Sequence, residues 1–191
     1  MTRVRIPARA SMHLEIEVKF KVRNKRDIIT RIEHAGFKNI STVFERNIIF
    51  DDKDENLRKN GILLRLRKTA GQSFLTVKLP VKDNIFKVRK EIEVMVDNPG
   101  NMENILNALG FRKVYIYEKR RAYYDNGWVK ISLDELPFGV FIEIEGNKKD
   151  IENAARILGF NMEDAIKKDY VSLYKDYCRR NGIKFGDLTF D

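Results

Sequence analysis

The sequence predicts a strand-dominated α+β fold, an eight-stranded antiparallel closed barrel with helices packed on its outside. Apolar and charged residues alternate with a period of two along several segments, which is typical of strands with two unlike faces. Short turns join most of these segments, as antiparallel neighbours allow. The helical segments must pack on the apolar faces, so we expect the charged faces to line the inside of the barrel. Closure would also remove the edge strands.

The first predicted strand, Leu14–Val22, shows this alternation most clearly. Side chains on one face of a strand lie about 7 Å apart, so its charged face forms a regular row. Its opposite face is apolar and must be covered by another element. The charged residues are Glu15, Glu17, Lys19 and Lys21, and the apolar residues are Ile16, Val18, Phe20 and Val22.

A helix is predicted next, at Lys25–Ala35, because Asn24 can cap its start and Gly36 can end it. Two later helical segments also end in glycine followed by phenylalanine, which indicates a weakly duplicated unit of strand, helix and antiparallel strands. Those two endings are Leu109-Gly110-Phe111 and Leu158-Gly159-Phe160.

Seven more strands are predicted from the same alternation and from the turn residues between them. We expect Pro80 to end the fourth strand, Pro99 to break the chain before the next helix, and Asn126-Gly127 to form a hairpin turn. A polar loop is expected over residues 51–60. The strands are 42–51, Ile62–Lys68, Phe74–Leu79, Phe86–Val96, Lys113–Tyr124, Trp128–Leu133 and Val140–Glu145, and the remaining helices are Met102–Leu109, Lys149–Leu158 and Ala165–Asn181.

Composition excludes several classes of protein. The 191 residues contain no apolar run long enough to span a membrane, and the single cysteine, Cys178, rules out an internal disulfide and fits a cytoplasmic location. With only His13 and His34 available, a metal would be held by oxygen ligands, which favours Mg²⁺ or Mn²⁺. We expect a basic arm or start-site extension at residues 1–11, a single domain at 12–180 and a tail at 181–191.

The formal net charge of +9 allows two interpretations. The excess could form a solvated basic surface with non-specific affinity for nucleic acid, or it could line a pocket for a polyanion. The alternation favours the pocket, so we expect no specific nucleic-acid partner and no membrane partner. Whether the protein forms a homodimer is left open by the sequence. The charged faces carry the acids Glu15, Glu17, Glu91, Glu93, Asp134, Glu143 and Glu145, and the cations Lys19, Lys21, Arg65, Arg67, Lys78, Lys87, Arg89, Lys119, Arg121 and Lys130.

A barrel interior of this composition is too costly to leave dry, so it must hold water, ions or a charged ligand. The cations exceed the acids and would attract a triphosphate, to which arginine can bind in a bidentate manner. The acid pairs Glu15/Glu17 and Glu143/Glu145 are oxygen ligands suited to Mg²⁺ or Mn²⁺. Crowding can also raise the pKa of one carboxylate until it serves as a general base near neutral pH.

These motifs resemble the CYTH superfamily, also called triphosphate tunnel metalloenzymes, from about Leu14 to Tyr174. The resemblance implies an eight-stranded barrel around a charged tunnel, and the stretch from Phe86 to Glu145 is most similar to class IV adenylyl cyclases. The matching motifs are Glu15-x-Glu17-x-Lys19, Leu63-Leu64-Arg65-Leu66-Arg67, Leu75-Thr76-Val77-Lys78, Lys87-x-Arg89-x-Glu91-x-Glu93, Lys119-x-Arg121, Leu133-Asp134-Glu135 and Phe141-Ile142-Glu143-Ile144-Glu145.

The resemblance also implies roles for individual residues around a substrate that is a triphosphate-containing small molecule. Glu91 would position a nucleophile, and Asp134 would serve the metal or orient a cation, so both are candidate catalytic residues. The implied cofactor is Mg²⁺ or Mn²⁺. The implied metal ligands are Glu15, Glu17, Glu143 and Glu145, and the implied phosphate-binding residues are Lys19, Arg65, Arg67, Lys78, Arg89, Lys119 and Arg121.

Two departures from the family pattern bear on function. Cyclase-like members usually have Gln-x-Asp-x-Tyr-Phe on the second strand, where this chain has Glu45-Arg46-Asn47-Ile48-Ile49-Phe50. In the C-terminal helix, where the family usually has Ser-Tyr-x-x-Leu, Asp169 replaces the serine. Three functions stay open: an adenylyl cyclase, a triphosphatase acting on inorganic, thiamine or nucleoside triphosphate, and a non-catalytic binder of polyphosphate or nucleotide. The overall pattern favours the cyclase.

Overall fold

The computed structural model describes residues 11–83 and 85–190, so the expected arm at residues 1–11 lies almost wholly outside the described residues. Its eight antiparallel strands close into a barrel in the order β1-β5-β4-β3-β2-β6-β7-β8, which confirms the predicted fold class. The strands are β1 Ser11–Val22, β2 Lys38–Asp51, β3 Leu63–Thr69, β4 Gln72–Val81, β5 Lys87–Met95, β6 Arg112–Asp125, β7 Lys130–Leu136 and β8 Gly139–Glu145.

In the described residues, three α-helices connect strands, and two more α-helices and a short 3₁₀ helix follow the last strand. Each of the longer α-helices begins at a side-chain cap, at Asn24, Asn98, Asn147 or Asp169, whose oxygen accepts a backbone N–H of the first turn. The helices are α1 Lys25–His34, α2 Asn56–Lys59, α3 Pro99–Ala108, α4 Lys148–Ile157 and α5 Tyr170–Asn181, with the 3₁₀ turn at Met162–Asp164.

The repeated glycine-phenylalanine endings share one geometry. Gly36, Gly110 and Gly159 all have positive φ angles, which a residue without a side chain adopts at little cost. The phenylalanine after each glycine donates its backbone N–H to the carbonyl five residues earlier, as Phe37 does to Ile32. This ending turns the chain back toward the barrel after each of these helices.

The apolar faces of the strands pack under helices, as predicted. Helices α1 and α4 cover β1, β7 and β8, where Ile32, Ile142, Ile144 and Ile151 are completely buried. Helix α3 covers β2 and β3 around Leu66. With the apolar faces occupied by helices, the charged faces are left to line the interior.

Several boundaries differ from the sequence expectation. Pro80 lies within β4 rather than ending it, because β3 pairs with β4 no further than Lys78 and proline has a strand neighbour on only one side. Pro99 is the first residue of α3, where its missing N–H is no loss. Residues 51–60 contain the short helix α2, and Asp51 accepts the backbone N–H groups of Leu57 and Arg58 at its start.

The last helix begins at Tyr170, not at Ala165. The segment before it is extended, and the backbone N–H of Ile166 donates to the carbonyl of Lys19, 2.8 Å away. This segment therefore crosses one end of the barrel before Asp169 caps α5. Beyond α5, Leu188 forms a parallel bridge with Tyr117 and is buried, so the chain's end packs on β6 at the same end of the barrel.

No helix within residues 11–83 and 85–190 is long and apolar enough to cross a membrane.

Candidate functional site

The inside of the barrel is a single cavity of about 690 Å³. Strand alternation directs the charged faces of all eight strands toward it, because the covering helices occupy the opposite faces. Every residue singled out from the sequence as a candidate site residue lines this cavity except Asp134, which lies fully buried behind it. The structure thus brings together residues that are up to 130 positions apart in the chain.

The acids of β1 each meet a lysine from a neighbouring strand. The Glu15 carboxylate accepts from Lys78 Nζ at 2.7 Å, and the Glu17 carboxylate accepts from Lys87 Nζ at 2.5 Å. Lys78 also pairs with Glu91, at 2.8 Å. Although burial opposes the charge, Glu17 raises the pKa of Lys87 above its usual value. The two contacts of Lys78 therefore link Glu15 to Glu91.

Glu145 is the exception among the acids. It lies opposite Glu17 in the β1–β8 register, and it makes no ion pair with any described residue. Burial and the nearby Glu15 carboxylate raise its pKa above the usual glutamate value, against the attraction of Lys130. A carboxylate in this position is stabilised either by a proton or by a cation that the protein does not itself supply.

A set of fully matched charges, which we call the paired wall, lies on β6, β7 and β8. Asp134 accepts from Lys119 at 3.1 Å and from Arg121 at 2.6 Å, and Arg121 also bonds to Glu143. Although burial opposes ionisation, Lys19 and Arg121 hold the pKa of Glu143 well below its usual range. The members of the paired wall are Lys119, Arg121, Asp134 and Glu143.

Helix α5 adds a residue that the sequence analysis did not single out. The Tyr170 hydroxyl donates to Asp134 at 2.7 Å, and the Tyr170 ring lies 3.8 Å from Lys19 Nζ. Lys19 Nζ, 1% exposed, also donates to the carbonyl of Lys168 and lies 3.2 Å from Glu143. The tyrosine directly after the capping position was the available signal, since the first turn of α5 lines the cavity.

Glu45 was also missed, because the sequence analysis treated the second strand only as a departure from the family pattern. It is completely buried, lies 3.5 Å from both Arg67 and Lys119, and accepts from the Tyr123 hydroxyl at 3.0 Å. Burial opposes its charge, but Lys119 and the nearby arginines hold its pKa far below the usual value. Alternation along β2 would have placed it inside, since Ile48 belongs to the outer core.

A second set of residues, which we call the open wall, consists of Asn47 on β2 and Arg65 and Arg67 on β3. Both polar atoms of the completely buried Asn47 side chain lack a partner in the described part of the chain, as do the Nε atoms of both arginines. Arg67 pairs with Glu93 through Nη2, at 3.0 and 3.1 Å. Unpartnered buried polar atoms cost about 1–3 kcal/mol each, so the two arginines, which line the cavity as Asn47 does not, suit an added acceptor.

Arg89 is a candidate phosphate-binding residue whose side chain is held, within the described part of the chain, by the main chain alone. It donates to the carbonyl of Gly61 at 2.6 Å, and among the described residues it has no carboxylate partner. Gly61 has a positive φ angle in the turn after α2, which favours glycine at this position. Arg89 therefore keeps donors available near one end of the cavity.

The acids fit a divalent cation in their chemistry but are not preassembled around one. Within the described residues, no three acidic, histidine or cysteine side chains are arranged to hold a metal ion. Glu15 and Glu17 are paired with lysines, so a site built from them requires those pairs to open. Glu145 is partly buried near both acids and has no ion-pair partner among the described residues, and carboxylate oxygens are the donors that Mg²⁺ and Mn²⁺ bind.

The CYTH domain family model matches residues 13–170 of this chain. A protein of Methanocaldococcus jannaschii named "Putative adenylate cyclase MJ0240" is 32% identical over 175 residues, which cover 89% of this chain and 99% of that protein.

Two solved structures are also similar. The PH1012 protein of Pyrococcus horikoshii is 32% identical, with a TM-score of 0.74 over 83% of this chain and 98% of that one. The HpAC1 protein of Hippeastrum, described as revealing a dominant triphosphatase activity, is 20% identical, with a TM-score of 0.61 over 90% of this chain and 97% of that one. The second likeness bears on the fold alone.

Proposed function

The chain belongs to the CYTH domain family, and on that premise we propose that it is a divalent-metal-dependent adenylyl cyclase that converts ATP to cyclic AMP and pyrophosphate. Proteins of this family bind triphosphate substrates and are in general metal-dependent enzymes of the adenylyl cyclase or triphosphatase kind. The observation that carries the proposal is the single cavity in which the candidate phosphate-binding cations face the candidate metal-binding acids.

The proposed reaction is attack of the ribose 3′ oxygen on the α-phosphorus. The new bond joins the 3′ oxygen to the α-phosphorus, the bond from the α-phosphorus to the bridging oxygen breaks, and pyrophosphate leaves. In this proposal the hydroxyl proton passes to the Glu91 carboxylate, which Lys78 holds at 2.8 Å. Proton transfer to a positioned carboxylate is worth about 10²- to 10⁴-fold in rate.

The cations of the tunnel would hold the phosphates in line for that attack. Arg65, Arg67 and Arg89 offer guanidinium groups, which suit bidentate contacts to phosphate oxygens. Asp134 acts in this proposal as a positioning residue, since it lies behind the cavity and holds Lys119 and Arg121. Glu15, Glu17, Glu143 and Glu145 would hold Mg²⁺ or Mn²⁺, and a bound divalent ion supplies neutralisation of phosphate charge.

The size of the cavity supports a nucleotide over a bare triphosphate. A volume of about 690 Å³ lies within the range of pockets that enclose organic ligands. The relative from Methanocaldococcus jannaschii, similar over nearly its whole length, is named for the cyclase reaction. Both points favour ATP as the substrate.

A triphosphatase is the second candidate, and the second strand favours it. Glu45 and Asn47 stand where cyclase-like relatives usually have glutamine and aspartate, and both are completely buried inside the barrel. An acid at position 45 competes with phosphate for Arg67 and Lys119 and could change how the triphosphate lies. In a triphosphatase, water attacks the terminal phosphorus instead.

The test supplies purified protein and Mg²⁺ or Mn²⁺ with ATP, inorganic triphosphate or thiamine triphosphate, and separates the products by chromatography. Cyclic AMP with pyrophosphate, lost in Glu17→Gln and Glu145→Gln, is the expected result. Release of orthophosphate without a cyclic product would identify the protein as a triphosphatase. Tight binding of triphosphate without metal and without turnover would leave a non-catalytic binder.

A further inference from the structure

We propose that the α5 end of the cavity is a nucleoside-binding chamber in which the Tyr115 hydroxyl and the Phe185 ring select nucleoside triphosphates over inorganic triphosphate. This inference rests on the proposed function and names the part of the substrate that lies beyond the phosphates. Phe185 comes from the chain's end, for which the sequence offered no pattern.

The chamber differs in chemistry from the rest of the cavity. Its walls are made by the start of β6, the first turn of α5 and the segment after α5, and they are mainly aromatic or aliphatic. The residues are Tyr115, Tyr117, Val171 and Phe185, with Ser172 and Lys175 exposed at the rim. An apolar wall with a few polar groups at its edge suits an uncharged organic group and not a phosphate.

The aromatic side chains of this region are held in place by their neighbours. The Tyr115 and Phe185 rings stack with centroids 5.2 Å apart and an angle of 4° between their planes. Leu188 anchors the segment that carries Phe185, because its backbone bonds to Ile116 and Glu118 on the edge of β6. The segment is therefore a fixed wall, and a fixed aromatic ring binds a nucleobase with little loss of conformational entropy. Lys175 Nζ lies 5.9 Å from the Phe185 centroid, so a nucleobase that stacks on Phe185 displaces this exposed side chain.

The Tyr115 hydroxyl is the observation that points to a ligand. Tyr115 is 4% exposed and lines the cavity, yet its hydroxyl oxygen has no hydrogen-bond partner in the described part of the chain. Burial raises the pKa of this phenol, so the hydroxyl stays protonated and can donate. Buried hydroxyl groups are nearly always partnered, and a base or ribose acceptor would supply the missing partner.

The opposite end of the cavity is the competing location. It also carries aromatic residues, Phe74 and Tyr123, and a buried unpartnered hydroxyl, that of Thr69. There the aromatic groups already have partners, because the Tyr123 hydroxyl donates to Glu45 and the Phe74 ring lies 5.2 Å from the Arg67 guanidinium. At the α5 end the unpartnered hydroxyl belongs to an aromatic ring, and segments outside the barrel enclose it.

The test measures binding of ATP and of inorganic triphosphate by calorimetry without divalent metal, so that neither ligand is turned over. Tyr115→Phe keeps the ring and removes only the hydroxyl, and it should weaken ATP binding by about 2- to 10-fold. Phe185→Ala should weaken it by about tenfold. Inorganic triphosphate should bind each variant as it binds the unaltered protein.

The matched control is Tyr177→Phe, a tyrosine of α5 that does not line the cavity. It should leave the binding of both ligands unchanged. Because Phe185→Ala could unfold the chain's end, Tyr115→Phe decides the outcome if the thermal midpoint of Phe185→Ala falls.

Three results would overturn the chamber. They are unchanged ATP binding in Tyr115→Phe, an equal loss for both ligands, and a selective loss of ATP binding in Phe74→Leu instead. Failure of the unaltered protein to bind either ligand, both here and with Mn²⁺ present, would instead remove the proposed function itself, and the chamber with it.

Discussion

The paired wall and the open wall are both buried sides of one tunnel, yet they differ in how completely their polar atoms are partnered. On the paired wall, Asp134 and Glu143 neutralise Lys119 and Arg121 within hydrogen-bonding distance. On the open wall, Asn47 and the Nε groups of Arg65 and Arg67 have no partner among the described residues. The same strand alternation creates both, so alternation alone does not decide which cations are available to a ligand.

This difference distinguishes the residues that support the barrel from the residues that are available to bind a ligand. A buried charge whose partner belongs to the protein is fixed, and removing the partner is costly because the remaining charge stays buried. A buried donor without a partner costs stability until a ligand supplies an acceptor. We infer that the paired wall mainly holds the tunnel in shape, whereas the open wall gains most when phosphate oxygens arrive.

Removing Asp134 should have the largest effect. Asp134→Ala leaves Lys119, Arg121 and the Tyr170 hydroxyl without their shared acceptor in a site with no exposure, and should cost about 3–5 kcal/mol of unfolding free energy. Urea denaturation measures this. The control, Glu135→Ala, removes the next acid in the chain, which lies on the outer face and pairs with Lys25, and should cost less than about 1 kcal/mol. An equal cost for the two would contradict the paired wall.

Removing a cation from the open wall should weaken ligand binding more than it lowers the unfolding free energy. Arg65→Met should weaken the binding of inorganic triphosphate by about 10- to 100-fold, because charge-assisted hydrogen bonds are lost. Its unfolding free energy should change by less than about 1 kcal/mol, since its hydrogen bond to Thr76 is 3.3 Å long, its ion pair with Glu93 is 3.7 Å long, and Glu93 keeps Arg67 as a partner. Calorimetry and urea denaturation give the two values.

Arg120→Met provides the comparison for Arg65→Met, because Arg120 lies on the outer face of the barrel against Phe190. It should leave triphosphate binding nearly unchanged. If Arg65→Met instead destabilised the fold strongly and bound triphosphate normally, the open wall would be a second structural wall.

The barrel could be predicted because its strands are local in sequence. Alternation at Glu15, Glu17 and Lys19 identifies a strand and its inner face without any knowledge of neighbours. Pro80 was misplaced because whether a strand tolerates proline depends on the length of the strand beside it, and β3 stops short at Leu63. Such non-local pairing is not encoded in the period of any one segment.

The site was predictable as a set of side chains but not as a set of contacts. Asp134 was expected to act on a metal or a cation, and it holds Lys119 and Arg121; its role in chemistry stays a prediction. Glu45 was interpreted only as a departure from the family pattern, although alternation along β2 places its side chain on the inner face of the strand. Tyr170 depends on where α5 docks, which its own sequence does not specify.

Tyr170 connects the paired wall to α5, and removing its hydroxyl should have a smaller effect. Tyr170→Phe keeps the ring over Lys19 and loses only the hydrogen bond to Asp134, so it should cost about 1 kcal/mol. Tyr177→Phe on the same helix should cost less than about 0.5 kcal/mol. Equal costs would mean that Lys119 and Arg121 satisfy Asp134 without α5.

The smallest expected effect is an increase in the unfolding free energy, and it concerns Glu145, which belongs to neither wall. Burial and Glu15 raise the pKa of Glu145 in the folded protein, so its ionised form is less stable there than in the unfolded chain. Glu145→Gln should therefore raise the unfolding free energy at pH 7.5, where the carboxylate is ionised in the unfolded chain. Most of the gain should be lost near pH 4, below the ordinary glutamate value of about 4.3, because most unfolded chains then carry the proton as well. Glu152→Gln, on the exposed surface of α4, should show no such pH dependence.

Glu145→Gln should also abolish stabilisation of the protein by Mn²⁺, measured as the thermal unfolding midpoint with and without the ion. A gain that persists at pH 4, or none at pH 7.5, would show that Lys130 already compensates Glu145, and the case for a cation at this acid would fail with it.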